Sequence, residues 1–481
     1  MIDSNVAALQ FRRQWYIGLQ APDIDFHWKK HPLTDGFFLY VHTDQVVDFC
    51  ITSSISIAVI GLAFNPQVPR ENIASKIASI AHDEEKLLNE LENLAGSYVI
   101  IMYAKGLLKL FNDAGGLMGV FFEKLKAASS LALLSPLEKD ELIDENYKFI
   151  QGNDWYTGSN TAYINKKKLI PNCSLDLNTG KSKRYWPIGD FTQLYQKKTD
   201  EELVEMIIVL LRAMMSGAAL KGDLLISLTG GQDSRVVLAA SESIWSSQKF
   251  FTISGKDIDK DDIRIAGLLA EVTGIKHKFY PFVSTPDWLY KLYDEICADE
   301  SIGVRREISG TCYQIDNSKA IHVNGNYGAL CKSYYWHNKS PKSFKQSSVM
   351  RDFASPSKAT VEGINEWTKT LPDLKATQKY NLFYLEQRGG RWISAGENSS
   401  RLFYETFSPF NHRLLFTYIC SLSEELQYGG KLLKLLTARM APEISNIPYA
   451  KARRNWSKYI PGNVKNKIRI YLKKLKGGVW D

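Results

Sequence analysis

Over the first 190 residues the apolar positions fall mostly into strand-length runs. Residues 37–41 (Phe-Phe-Leu-Tyr-Val) and 46–51 (Val-Val-Asp-Phe-Cys-Ile) flank the polar stretch His42-Thr43-Asp44-Gln45, a pattern that predicts a β-hairpin. Residues 97–103 predict another strand. Residues 107–111, apolar without strict alternation, predict its partner. Ile73, Ile77, Ile80, Leu87, Leu88 and Leu91 recur on one side of a 3.6-residue period, predicting a helix over residues 70–94. The turn Asn112-Asp113-Ala114-Gly115-Gly116 then leads into a further apolar run, residues 118–122.

The pattern changes after a polar linker at residues 190–199. Thr199-Asp200-Glu201-Glu202 is a capping box that opens an amphipathic helix reaching about Ser216. Four apolar strand-like runs follow, at residues 224–228, 249–255, 276–280 and 320–323. Helical patterns lie after the first two, and the second of these is stopped by Gly274. Strands and helices alternating at this spacing predict a doubly wound parallel sheet. Residues 380–460 read as helical and rich in arginine and aromatic residues. The expected fold class is therefore α/β, divided at residues 1–190, 199–460 and 461–481.

Composition narrows this little. The 481 residues, 44% hydrophobic and 23% charged, suit a globular protein of two or three domains. The six cysteines are scattered without a CxxC pair, which suggests neither a zinc site nor a disulfide framework and favours a cytoplasmic setting. The apolar run 51–64 is shorter than the roughly 20 residues a bilayer requires. The N-terminal residues show no signal-peptide pattern. Much of the net charge of +8 sits in residues 451–476, which contain no acidic residue. Val464, Ile468, Tyr471, Leu472 and Leu475 fall on one face of that tail, a pattern that suits an anionic membrane surface or packing on its own domain. No nucleic-acid-binding signature accompanies it.

The candidate chemistry centres on Leu224-Leu225-Ile226-Ser227-Leu228-Thr229-Gly230-Gly231-Gln232-Asp233-Ser234-Arg235. A buried strand, a glycine turn and a helix start bring unpaired backbone N–H groups and a helix dipole to one point, an anion site. Ser227, Thr229 and Ser234 add hydroxyls. Asp233 adds a carboxylate suited to a magnesium ion carried on phosphate. No Gly-Lys-Ser/Thr sequence closes the loop, so it is not a Walker motif.

The loop resembles the Ser-Gly-Gly-x-Asp-Ser signature of the PP-loop ATP-pyrophosphatases, with Thr229 in place of the first serine. Other segments resemble the asparagine synthetase family within that group. Residues 112–122 and 170–186 are similar to parts of its N-terminal-nucleophile (Ntn-like) glutaminase domain, an α+β fold of sandwiched sheets. Residues 320–328 are similar to its second glycine loop, and residues 405–414, 430–436 and 442–451 to its helical C-terminal extension. The resemblance implies ATP and Mg2+ as cofactors. It places Ser227, Thr229, Gly230, Gly231, Asp233, Ser234, Ser254 and Gly325 around the nucleotide, with Asp233 on the metal. It also implies that Asn326 and Tyr327 face the substrate, that Lys451 faces the phosphates and that Glu405 belongs to the catalytic set. His277 is expected to be structural.

Several positions depart from the family. Residue 2 is isoleucine where the family carries its glutaminase cysteine, and the first cysteine, Cys50, lies inside a predicted strand. Ala329 and Leu330 stand where a metal-binding Asp-Glu pair is expected, and Phe407 replaces an arginine. The implied activity is an ATP-dependent, AMP-forming amide ligase. It would adenylate a small-molecule, peptide or sugar carboxylate for attack by ammonia or another amine, without glutamine hydrolysis, in a natural-product or polysaccharide pathway. The alternative is an inactive relative that binds a nucleotide or a partner protein.

Overall fold

Two ten-residue strands, β5 (Ile55–Phe64) and β6 (Ala95–Ala104), pair antiparallel along their whole length and form the spine of the N-terminal half. In the computed structural model both faces of β5 are covered. Ile55, Ile57 and Val59 point one way, while Ala58, Ile60 and Leu62 point the other, each set into its own apolar cluster. A strand buried on both faces has no polar alternation, which is why residues 57–64 carry no polar side chain. The structure describes residues 9–22, 28–34, 36–134, 155–195, 197–255, 260–297, 305–315, 319–336, 340–353 and 356–450.

The remaining N-terminal strands are β1 (Trp15–Gly18), β2 (Trp28–Thr34), β3 (Phe37–His42), β4 (Val47–Ile51), β7 (Leu107–Asn112), β8 (Phe121–Glu123), β9 (Lys126–Ala128), β10 (Lys167–Lys168), β11 (Cys173–Asp176) and β12 (Lys181–Arg184). They form two six-stranded sheets, ordered β10-β8-β9-β1-β3-β2 and β12-β11-β7-β6-β5-β4. Trp15, Ile17, Leu39 and Val41 of the first sheet share a core with Ile60, Val99, Ile101 and Leu110 of the second.

The hairpin expected from residues 37–51 does not form. β3 pairs with β1 and β2, whereas β4 pairs with β5 in the other sheet. The polar stretch between them is a crossing from one sheet to the other. It is held by Gln45 N–H donating to the His42 carbonyl and by Gly61 N–H donating to the Val46 carbonyl. The helix expected over residues 70–94 is two helices, Ile73–Ile80 and Glu84–Asn93. Asp83 breaks the pattern because its side chain caps the second helix at Lys86 N–H. Both helices lie over the outer face of β5 and β6.

In the C-terminal half, β13 (Leu224–Ser227), β14 (Lys249–Ser254), β15 (Lys276–Pro281), β16 (Ile321–Val323) and β17 (Glu405–Phe407) form a parallel sheet ordered β15-β14-β13-β16-β17. The chain runs outward from β13 to β15, then returns to the other side of β13. The strand order reverses between β13 and β16, and in open α/β sheets a ligand crevice forms outside the carboxyl ends at such a point. The helix Asp200–Lys221 carries the full Thr199–Glu202 capping box and continues to Lys221, a turn beyond its expected end. It is long and apolar enough to cross a membrane, with a mean hydropathy of 1.9 in its most apolar stretch. Leu203, Ile207, Leu211 and Met214 are instead buried in the shared core. The described residues form an α/β fold of three sheets, one of them parallel.

A buried polar seam joins the halves. The Arg413 guanidinium donates to Asn172 Oδ1 (2.7 Å), the Leu91 carbonyl (3.0 Å), the Asn112 carbonyl (2.6 Å), and the hydroxyls of Tyr98 (3.1 Å) and Tyr185 (2.6 Å). Asn411 accepts from Gly115 N–H (2.7 Å) and donates to the Gly96 carbonyl (2.9 Å) and Asp113 Oδ1 (2.8 Å). Glu386, fully buried, takes both guanidinium nitrogens of Arg184 together with Trp367 Nε1–H and Asn172 Nδ2–H. The linker is tied down too, since Gln378 donates to Asp190 at 2.7 Å.

His412 sits in this seam with both ring nitrogens engaged. Nδ1 accepts the Leu415 N–H (3.3 Å), so Nε2 carries the proton and donates to the Asn93 carbonyl (3.1 Å). Burial pushes its pKa down to about 4, aided by the charge of Arg413 and opposed by the bond to Asn93. A base with a depressed folded pKa stabilises the fold above its unfolded value near 6.5 and loses that contribution as pH falls toward 4. The loss is on the order of 3 kcal/mol over that window, at about 1.4 kcal/mol per pH unit. His412→Asn retains a capping oxygen and removes the titrating ring. Urea midpoints measured between pH 7 and 4.5 are therefore expected to fall less steeply for the variant than for wild type. Parallel curves would show that His412 is not held neutral.

Candidate functional site

The chain leaves β13 at Ser227, turns through Thr229-Gly230-Gly231 and enters the helix Gln232–Ala240 with Gly231 as its N-cap. No side chain caps this helix start, so its first-turn N–H groups lack the usual internal acceptor. The loop is pinned by its own hydroxyls. Thr229 Oγ1 and Ser234 Oγ lie 2.9 Å apart, Ser234 Oγ donates to the Thr229 carbonyl (3.1 Å), and Gly231 N–H donates to Thr229 Oγ1 (3.2 Å). Asp262, at the start of the helix Lys260–Thr273, accepts Gly230 N–H at 2.9 Å. Ser227 Oγ donates across the strand reversal to the Val323 carbonyl (3.1 Å).

Glycines permit the closest approaches. A Cβ at Gly325 would lie 3.0 Å from the Asp233 main chain, and one at Gly328 would lie 2.6 Å from Asp233 Oδ1. A Cβ at Gly230 would lie 2.8 Å from that of Ala450. The loop after β16 is thus packed directly on the loop after β13. A cavity of about 240 Å3 opens beside them, lined by Ser227, Thr229, Thr252, Ile253, His322 and Tyr404 among others. Thr252 Oγ1 donates to the Leu228 carbonyl (2.6 Å) and lies 2.9 Å from His277 Nε2. Burial lowers the pKa of His277.

Asp233 is the charged centre. Burial raises its pKa, and the ammonium of Lys332 opposes that rise. Lys332 Nζ lies 2.7 Å from Asp233 Oδ2. Oδ1 is enclosed and has no hydrogen-bond partner. Two further carboxylates lie near the turn: Asp262, bonded to Gly230 N–H, and Glu397, which accepts from Asn326 Nδ2 (2.7 Å) and from Asn324 Nδ2 at 3.3 Å. Neither Asp233 nor Glu397 fits a resident magnesium ion. One oxygen of Asp233 is walled off by Gly328, the other is held by a lysine, and Glu397 is engaged by amides. Among the described residues no group of three or more His, Cys, Asp or Glu is placed to hold a metal.

The expected site residues do not all converge. Ser227, Thr229, Gly230, Gly231, Asp233, Ser234 and Gly325 meet at the strand reversal. Ser254 ends β14, where its hydroxyl donates to the Tyr280 carbonyl at 3.3 Å. Asn326 lies in the turn beside Gly325. Tyr327 does not face a substrate space: it is buried in the seam with its hydroxyl donating to the Gly115 carbonyl (3.0 Å). Glu405 is also displaced from its expected place. It begins β17 opposite Ile321, at the amino ends of the strands, while the loops leave from the carboxyl ends. There it forms a two-pronged ion pair with buried Arg401, including Nη2–Oε2 at 2.9 Å, and Arg401 also donates to Gln45. Lys451 and the basic tail lie outside the described residues. The preceding residue, Ala450, donates its N–H to the Gly230 carbonyl at 3.0 Å.

Two residues emerge that pattern alone did not single out. Lys332 lies two residues past the positions compared with the acidic pair and gave no motif signal. Arg235 directly follows the loop motif. It donates to the Ile447 carbonyl and, at 2.8 Å, to that of Pro448, and it stacks on the Tyr449 ring at 3.8 Å. Arg235 therefore straps residues 447–450 to the helix that carries Asp233.

No protein-family model matches the chain, and no curated protein matches it. Among solved structures it is similar to glutamine phosphoribosylpyrophosphate amidotransferase from B. subtilis, complexed with ADP and GMP. The identity is 12% over 75% of each chain and the TM-score is 0.23, a likeness too slight to carry an argument.

Arg235→Met removes the strap and leaves the parallel sheet intact. Hydrogen exchange at the Ala450 amide is expected to accelerate by about tenfold or more, the equivalent of one or two lost charge-assisted bonds. Amides of β13 and β14 should keep their protection. Unchanged exchange at Ala450 would show that the strap does not hold this segment.

Proposed function

We propose that this chain binds ATP at the Thr229–Ser234 loop and uses it as an AMP-forming carbon–nitrogen ligase of the asparagine synthetase type. In this reading the antiparallel sheets are an Ntn-like scaffold and the parallel sheet is a PP-loop domain. The observation that carries it is the junction of an uncapped helix start with the cavity beside Ser227 and Ile253, both at the strand reversal. The first offers N–H donors to a polyphosphate, and the second offers a largely apolar recess to a base and ribose.

A substrate carboxylate oxygen attacks the α-phosphorus and the bond to the β-phosphate bridging oxygen breaks. Pyrophosphate leaves with its charge against the first turn of Gln232–Ala240. Ammonia or another amine then attacks the acyl carbon, loses a proton, and AMP departs. Lys451 is assigned to the phosphates in this scheme on the resemblance of residues 442–451 to the family's helical extension. A cation there offsets the charge that builds on the leaving group. Glu405 has no part in the scheme, since Arg401 holds it at the far end of the sheet.

The second reading is a relative that binds a nucleotide or a partner protein without turnover. The Lys332–Asp233 ion pair favours it, because the carboxylate suited to a metal is already neutralised. Calorimetry with ATP, coupled to a pyrophosphate-release assay with ammonium and a pool of carboxylates, separates the two. The ligase reading expects binding together with release. Lys451→Ala is then expected to slow release by about a hundredfold or more, with a much smaller effect on ATP affinity. Binding without release supports the second reading, and absence of binding removes both nucleotide readings.

A further inference from the structure

We propose that Lys332 is the fixed cation of the polyphosphate site and takes the place of a metal ion on Asp233. The inference rests on the nucleotide reading above and specifies how that site handles charge. Asp233 occupies the second position of the helix Gln232–Ala240, inside a first turn that no side chain of its N-cap, Gly231, caps. Its Oδ1 is closed in by Gly328, so an ion on that side would need the glycine turn to move. Its Oδ2 is bonded to Lys332 Nζ at 2.7 Å.

The Lys332 side chain retains 31% of its exposure, and that of Asp233 30%, so solvent reaches the pair. An ammonium has three donors and no acceptor. One donor is spent on Asp233, which leaves two for phosphate oxygens. The carboxylate thus orients the lysine, and the lysine supplies the positive charge that a divalent cation would otherwise bring. Ala329 and Leu330, three and two residues before it, contribute no carboxylate to compete. Glu397 is taken up by Asn324 and Asn326. The ligand class is a nucleoside polyphosphate recognised through its phosphate chain in a metal-free form.

Isothermal titration of the full chain with ATP, in EDTA and again with excess magnesium, tests this. Inorganic tripolyphosphate in EDTA serves as the probe without a base. Wild type is expected to bind ATP in EDTA within a few-fold of its affinity with magnesium, and to bind tripolyphosphate as well. Lys332→Gln should weaken metal-free ATP binding by about tenfold to a hundredfold, the worth of one or two charge-assisted bonds, and Lys332→Arg should recover most of it. If Lys332→Gln proves unstable, the wild-type comparison of ATP and tripolyphosphate in EDTA with ATP in excess magnesium still decides the point. Binding that requires magnesium overturns the role of Lys332 and leaves the nucleotide reading standing. So does metal-free binding unchanged in Lys332→Gln. Absence of ATP binding under both conditions overturns both.

Discussion

The structure depends on one buried guanidinium. Arg413 lies with no exposed surface between the antiparallel sheets and the helices behind the parallel sheet, and every donor it offers meets an oxygen. A buried cation without such partners is strongly destabilising, so the strands, the turn at Asn112 and the helix Arg413–Ser421 must keep their mutual positions. Asn411 and His412, the two residues before Arg413, add three hydrogen bonds and two. The two halves are therefore one cooperative body, joined by polar groups whose separation would leave each of them unpaired. The parallel sheet takes its place from that seam, and the Thr229–Ser234 loop takes its place from the sheet.

That arrangement explains what could be read along the chain. Chain pattern located β13 to β16 and the helices beside β13, because those elements obey local rules: a capping box at Thr199, a glycine stop at Gly274, glycines where β13 turns; it missed β17, which lies within residues 380–460 that read as helical. The strand-to-helix turn with hydroxyls around it was visible for the same reason. Local pattern failed where a tertiary partner decided the outcome. Residues 37–51 have the alternation of a hairpin, yet each run found its partner elsewhere and the chain crossed between sheets. Residues 70–94 have the period of one helix, yet Asp83 satisfies a new helix start better than it continues the old one.

Site residues divided along the same line. Those within the loop motif come together because the chain places them next to one another. Those drawn from distant segments were settled by contacts that the sequence does not display. Glu405 went to Arg401, an ion pair four residues apart that closes over Gln45. Tyr327 went into the seam rather than toward a ligand. Residues 387–391, within the segment read as helical, are largely buried: Gln387 accepts from Gly158 N–H and Arg391 donates to the Tyr156 carbonyl. Lys332 and Arg235 have no spacing rule to reveal them, since each works through a partner far along the chain, 99 and 213 residues away.

Tyr327 carries a consequence of its own. Its backbone is left-handed, at φ +68°, and its ring is held between Gly115 and Gly389 with the hydroxyl on the Gly115 carbonyl. The next residue, Gly328, is the one that presses on Asp233. A single aromatic side chain thus acts as a mechanical stop between a turn of the N-terminal sheets and the acid of the glycine loop. Bulk added at either flanking glycine would be transmitted along one peptide unit to that carboxylate, so a turn of the amino-terminal half sets the clearance at an acid of the carboxyl-terminal half.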